Sequence, residues 1–112
     1  MFAVGVLLPT GACSGRVSTP APVTLTLRAE NIRFDRAELD APAGVPIEIV
    51  LDNRDNGIAH DIQVKTGATP APATPRTDGP STQRLELPGL SAGTYAYLCT
   101  LHAQMTGKLN VR

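Results

Sequence analysis

Hydrophobic and polar residues alternate along much of the chain with a period of two, which is the pattern of strands that bury one face. The alternation is clearest in residues 23–28 and 47–52. An extended segment is expected at Ile32 and Phe34, and further strands are predicted near residues 62–64, 85–87, 94–99 and 108–112. Residues 23–112 show no helical period, so the chain is predicted to be all-β.

Turn-forming residues separate these strands. The chain has 10 Gly and 10 Pro among its 112 residues, and about seven or eight short strands at this spacing favour a β-sandwich or a small barrel. Residues 66–81 contain four Pro and two Gly, which argues against a regular helix or a central strand. This segment is predicted to be a long surface connection that is either disordered or draped over a sheet edge.

The beginning of the chain has a different composition. The first 15 residues carry no charge, and residues 2–8 form an apolar run that small residues follow. This order is typical of the end of a secretory signal, although no Lys or Arg precedes the apolar run. We therefore divide the chain into an export segment at 1–13, a linker at 14–22 and one domain at 23–112.

Cys13 lies where the small residues end. Its surroundings resemble a bacterial lipoprotein cleavage site, at which the cysteine would be lipidated and become the first residue. Cleavage at Thr10-Gly11-Ala12 as an ordinary signal, a disulfide with Cys99 in an oxidising compartment and a disordered tail on a cytosolic protein are the alternatives. The location predicted by this segment is the periplasm or the cell surface.

Charge and composition exclude several functions. Ten Lys and Arg balance ten Asp and Glu, and no basic block is present, so nucleic acid is not expected as a partner. No apolar run approaches the ~20 residues of a membrane-spanning helix. With two His and two Cys in the whole chain, most multi-metal and hydrolytic sites lack the residues that they need.

The few metal-ligating side chains fall into one pattern. Cys99, His102 and Met105 form a C-x2-H-x2-M motif after a predicted strand, and His60 follows a polar loop upstream. A thiolate, two imidazoles and a thioether are the ligand set of a mononuclear blue copper site. The thiolate and thioether suit Cu(I), and the imidazoles also suit Cu(II). Each residue alone could be structural, but together they predict a copper site.

Other metal centres fit this inventory less well. Structural zinc normally takes four Cys or His ligands, for which Met is a poor substitute. A binuclear copper centre needs a second cysteine in the loop, and multicopper clusters need more than two histidines. Iron–sulfur clusters need more thiolates than the chain offers.

Residues 23–112 resemble a bacterial cupredoxin, similar in motif to plastocyanin-like and amicyanin-like proteins. The resemblance rests on five stretches, namely residues 31–35, 43–47, 53–61, 90–99 and 105–107. It implies a Greek-key β-sandwich that binds one copper ion. Carried over to this sequence, it implies copper held by His60 Nδ1, Cys99 Sγ and His102 Nδ1, with Met105 as a weak axial ligand.

The sequence departs from the family after the first histidine. Many members have Asn there, where it links the two ligand loops by hydrogen bonds, and this chain has Asp61. An aspartate can accept equivalent hydrogen bonds, and its backbone N–H can still donate to the cysteine sulfur. We expect its charge, if ionised near the metal, to stabilise Cu(II) and lower the reduction potential.

The resemblance implies a monomer that shuttles single electrons and is not an enzyme. Its partner would be a redox protein, met through a small apolar patch around His102 formed by Ile58, Ala59, Leu101 and Ala103. Because the net charge is zero, long-range electrostatic attraction to a charged partner is expected to be weak. The charge of the chain therefore does not indicate the identity of the redox partner. A copper-handling protein and a metal-free interaction module that uses residues 66–81 stay open as alternatives.

Overall fold

The computed structural model describes residues 21–112. The predictions for the export segment, for Cys13 and for most of the linker lie outside these residues. Nine strands are present in the described part of the chain, with the following bounds: β1 (Val23–Ala29), β2 (Glu38–Ala41), β3 (Ile47–Asn53), β4 (Ala59–His60), β5 (Gln63–Val64), β6 (Thr77–Asp78), β7 (Ser81–Leu87), β8 (Gly93–Leu98) and β9 (Thr106–Val111). Within residues 21–112 no helix has the length and apolar character needed to cross a membrane.

Two larger sheets form a sandwich. The first has the order β1-β3-β7, with β1 parallel and β7 antiparallel to the central β3. The second has the order β2-β9-β8-β5, in which β2 runs parallel to β9 and the other pairs are antiparallel. A third, two-stranded sheet joins β4 to β6. The predicted all-β sandwich is confirmed.

The core lies between the two larger sheets, because each sheet turns one apolar face inward. Strand β3 shows the alternation best, with every second residue from Ile47 to Asn53 buried. Leu27 and Leu85 from the first sheet join Tyr97 and Leu109 from the second in one buried cluster. The strands that lead into the metal-ligand loop are thus anchored in the core.

Three strands were not predicted from the sequence pattern. Strands β4 and β6 have two residues each, too few for any alternation to show, and β2 lies in a stretch that was not predicted as a strand. The extended segment expected at Ile32 is wrong, because Ile32 has a φ of 54° and Asn31 a φ of 56°. Phe34 forms an isolated bridge with Ala29 instead.

The Pro-rich connection lies along a sheet edge, the second of the two predicted arrangements. Ala73 bridges to Gln63, and the N–H of Val64 donates to the carbonyl of Pro72 at 3.0 Å. The N–H of Ile62 donates to the hydroxyl of Thr74 at 3.1 Å. The connection then supplies β6, which pairs with β4 and so supports the strand that carries His60.

Candidate metal centre

Three of the predicted ligands come from one hairpin. Strand β8 ends at Leu98, strand β9 begins at Thr106, and the loop between them contains Cys99, His102 and Met105. Two backbone hydrogen bonds of 3.0 Å close this loop, one from the N–H of Cys99 to the carbonyl of Met105 and one from the N–H of Met105 to the carbonyl of His102. The loop places Cys99 Sγ 3.6 Å from His102 Nδ1.

His60 reaches the same place from β4. Its Nδ1 lies 3.8 Å from Cys99 Sγ, and its ring meets the ring of His102 edge to face, with the centroids 4.9 Å apart. One ligand atom from each of the three residues lies within 4.8 Å of the others. His60 and Cys99 are buried, whereas His102 is partly exposed.

The two sulfur–nitrogen distances fit a thiolate and an imidazole that bind the same metal ion. Bonds of about 2.0 and 2.3 Å, which imidazole nitrogen and thiolate make to a first-row metal, place the two donors about 3.5–3.7 Å apart at angles from tetrahedral to trigonal. The two sulfur–nitrogen separations, 3.6 and 3.8 Å, agree with this expectation. The donor set, one thiolate and two imidazoles, is that of a type 1 copper site.

Met105 is fully buried at the end of the loop. Its backbone takes part in both of the hydrogen bonds that close the loop, and the residue belongs to the buried core cluster. Its predicted role as the axial ligand stays a prediction.

Burial raises the pKa of the Cys99 thiol. Hydrogen bonds from the backbone N–H groups of Asp61 and Leu101 favour the thiolate and oppose this effect, whereas the negative charge of Asp61 adds to it. A bound cation would favour the thiolate, because a coordinating thiol is deprotonated.

Asp61 joins the two ligand-bearing segments. Its Oδ1 accepts the backbone N–H of Thr100 at 2.7 Å, and its Oδ2 accepts the hydroxyl of Thr100 at 2.6 Å. Asp61 is 3 % exposed, and Nε of the exposed Arg76 lies 3.8 Å from its Oδ2. Asp61 thus links the two loops in the way that the resemblance implied for Asn.

Sequence reasoning missed a second carboxylate at the site. Asp55 is 8 % exposed, and its Oδ2 lies 2.7 Å from Nε2 of His60. Burial acts to raise the pKa of Asp55, but the hydrogen bonds with His60 and with the N–H groups of Ile32 and Asn31 outweigh it, and the pKa lies below its usual value. The residue stands in a polar loop, so no periodicity could have indicated its burial.

Asn53 holds the base of the same loop. Its side-chain amide donates to the carbonyls of Ile58 at 2.9 Å and Thr77 at 3.0 Å, and its Oδ1 accepts the N–H of Asp55 at 2.9 Å. A Cβ on Gly79 would lie 2.6 Å from this Oδ1, so the close packing here requires glycine. Asn53 therefore ties β3, the first ligand loop and β6 together.

Comparison with known proteins identifies the family. The model of the cupredoxin-like domain matches residues 2–111. The chain belongs to the cupredoxin-like family. No curated protein matches this cupredoxin closely enough to count as a relative.

Solved structures share the fold of this cupredoxin at low sequence identity. Auracyanin A, described as a blue copper protein from Chloroflexus aurantiacus, is 24% identical, with a TM-score of 0.73 over 82% of this chain and 100% of its own. Rusticyanin from Thiobacillus ferrooxidans is 19% identical, with a TM-score of 0.65 over 81% of this chain and 77% of its own. A mutant amicyanin in its oxidised state is 25% identical, with a TM-score of 0.61 over 88% of each chain.

Proposed function

We propose that this cupredoxin binds one copper ion and carries single electrons between redox proteins. The observation that supports this proposal is that Cys99 Sγ lies 3.8 Å from His60 Nδ1 and 3.6 Å from His102 Nδ1, the separations expected for ligands of one metal ion. We assign these three residues as ligands and Met105 as the axial ligand. When bound, copper supplies a one-electron couple between Cu(I) and Cu(II).

The surrounding chain suits electron transfer because it limits movement and water. His60 comes from a short strand, and Cys99, His102 and Met105 come from a loop that two backbone bonds close. Three of the four side chains are buried, at 0 % exposure for His60, 2 % for Cys99 and 0 % for Met105. A site held in this way has little room to rearrange when the charge of the metal changes.

His102 offers an electron a way out. It is the partly exposed member of the ligand cluster, and its neighbour Leu101 is the one large hydrophobic side chain classed as exposed within residues 21–112, at 38 %. Ala103 is also exposed, and Ile58 and Ala59 are partly exposed. We infer that these residues form the apolar patch on which a redox partner docks weakly and briefly.

A visible spectrum tests the copper site. We expect the protein to turn intensely blue or green when Cu(II) is added, because a Cu–thiolate bond absorbs strongly. Cys99→Ser should abolish the colour, and Cys13→Ser, the matched control, should leave it intact. A colourless wild type would refute the assignment and favour the metal-free interaction module.

Redox cycling separates electron transfer from copper handling. An electron carrier should keep its copper through repeated reduction and oxidation, whereas a handling protein should lose it to a Cu(I) chelator. Leu101→Lys should slow electron self-exchange without altering the spectrum, because it places like charges in the patch. Thr26→Lys, an equivalent change at an exposed position of β1, should leave the rate unchanged.

We also propose that the protein works outside the cytoplasm, in the periplasm or at the cell surface. The uncharged apolar run at residues 2–8, followed by small residues, supports export. Cys13 is the candidate for a lipid tether to the membrane. Mass spectrometry of the protein from its native membrane would distinguish lipidated Cys13 from a chain cleaved at another position.

A further inference from the structure

A buried carboxylate contacts the side of His60 that faces away from the metal site. The Nδ1 of His60 points to Cys99, and its Nε2 lies 2.7 Å from Asp55 Oδ2. Both side chains lie in the interior, since His60 is 0 % and Asp55 8 % exposed. The two residues are five positions apart, on opposite ends of the loop between β3 and β4.

Two backbone donors fix the Asp55 carboxylate. The N–H of Asn31 donates to its Oδ1 at 2.6 Å, and the N–H of Ile32 donates to its Oδ2 at 2.9 Å. Asn31 and Ile32 both have a positive φ, which is uncommon for any residue with a side chain and most unfavourable for a β-branched one. The turn that presents these two N–H groups therefore persists in spite of an unfavourable backbone conformation.

The donors around Asp55 determine where the proton of a neutral His60 lies. Ile32 N–H already donates to Oδ2, and an ionised carboxylate is an acceptor only. The Nε2 of His60 must then be the donor in the 2.7 Å contact, and the lone pair of the ring lies on Nδ1. This is the nitrogen that faces Cys99 and His102.

We propose that Asp55 is a positioning residue for the copper site, which holds His60 with Nδ1 free to bind the metal and adds a buried negative charge that favours Cu(II) over Cu(I). The inference rests on the proposed copper site for its second half only. A hydrogen-bonded carboxylate orients a ligating imidazole and increases its basicity. Because the more basic imidazole and the extra charge stabilise the higher charge of Cu(II), Asp55 lowers the reduction potential.

The first experiment needs neither copper nor a variant. Ring ¹⁵N NMR of the apoprotein in mildly alkaline solution distinguishes the protonated from the unprotonated nitrogen of each neutral imidazole. We expect His60 to be a single tautomer protonated at Nε2, and the partly exposed His102 serves as the internal reference. A neutral His60 protonated at Nδ1, or a mixture of tautomers, would overturn the proposal even if the protein binds copper.

The second experiment removes the charge. Asp55→Asn keeps one carbonyl oxygen but replaces the other oxygen by an NH2 group, which cannot accept a hydrogen bond. The variant therefore cannot accept from all three donors, which are the N–H groups of Asn31 and Ile32 and the Nε2 of His60. We expect copper affinity to fall by about 10–100-fold, with the greater loss for Cu(II). Each tenfold difference between the two oxidation states raises the one-electron potential by about 59 mV.

Asp35→Asn is the matched control. Its carboxylate also accepts a backbone N–H, that of Arg28 at 2.8 Å, but it does so in an exposed position. Asp55→Asn could lower thermal stability and still have the same copper affinity and reduction potential as Asp35→Asn. That result would show that Asp55 has a structural role only, and it would overturn the proposal. If Asp55→Asn does not fold, the NMR measurement on the wild type still decides the proposal.

Discussion

Gly107 lies opposite Tyr97 across the β8–β9 hairpin that carries the metal-ligand loop. A methyl group at this position would overlap the phenol ring, with Cε1 only 2.6 Å from the new carbon. The ring cannot easily retreat, because Tyr97 is fully buried and packs against Phe34 with a centroid distance of 5.6 Å. We therefore predict that Gly107→Ala destabilises the domain substantially.

The magnitude follows from what the ring must give up. Moving it breaks the hydrogen bond from its hydroxyl to the carbonyl of Arg36, which measures 2.7 Å and contributes about 1 kcal/mol. Overpacking a filled core adds about 1–3 kcal/mol. The expected loss is about 2–4 kcal/mol, equivalent to roughly 10–25 °C in melting temperature for a domain of this size.

Urea denaturation of the apoprotein, followed by circular dichroism, measures this loss without a contribution from bound metal. Tyr97→Leu tests whether overlap with the Tyr97 ring causes the loss, because the shorter leucine side chain leaves room for the methyl group. Gly107→Ala should cost about 2–4 kcal/mol in the wild-type background and much less in the Tyr97→Leu background. A loss that is equal in both backgrounds, or below about 0.5 kcal/mol, would refute the steric argument.

Three further predictions concern stability and redox behaviour. Burial raises the pKa of Tyr97 from 10.0 to about 12, so the stability that its neutral phenol contributes is complete below pH 10 and falls by about 2–3 kcal/mol as the pH rises towards 12. The urea midpoint of the wild type should fall over this range. An equal fall in Tyr97→Phe, which has no phenol to ionise, would contradict this prediction. Asp61→Asn should keep both contacts with Thr100, since a hydroxyl can also accept from an amide, while a redox titration shows a raised potential; an unchanged potential would rule out a charge effect. Gly79→Ala should destabilise the apoprotein by about 1–3 kcal/mol by displacing the buried amide of Asn53, and an unchanged urea midpoint would show that the loop can adjust.

The main strands could be predicted from the sequence because burial of one face imposes a period of two. Residues 23–28 and 47–52 show this period, and they form β1 and β3 in parallel register. The prediction failed at Ile32, an apolar residue two positions before Phe34 that was expected to lie in an extended segment. Its backbone instead turns to donate to Asp55, an interaction with a residue 23 positions away that no local pattern contains.

Part of the metal centre could likewise be predicted from the sequence alone. Local spacing was sufficient for the Cys99, His102 and Met105 motif, because a short loop keeps residues three apart close together whatever the rest of the chain does. The small numbers of His and Cys are also properties of the sequence alone, and they disfavoured zinc, iron–sulfur and multicopper centres. The sequence alone therefore predicts His60, Cys99, His102 and Met105 as the candidate ligands.

Only the tertiary structure decided what surrounds these residues. His60 meets Cys99 from 39 positions away, because β4 is held against β6 and the sandwich brings both beside the β8–β9 hairpin. The fold also buries Asp55 against His60 and Asp61 against Thr100. The two aspartates therefore have different partners, although both are aspartates in or near the same polar loop of the sequence. Charge burial and long-range hydrogen bonds depend on which surfaces pack together, and the order of residues along the chain does not contain that information locally.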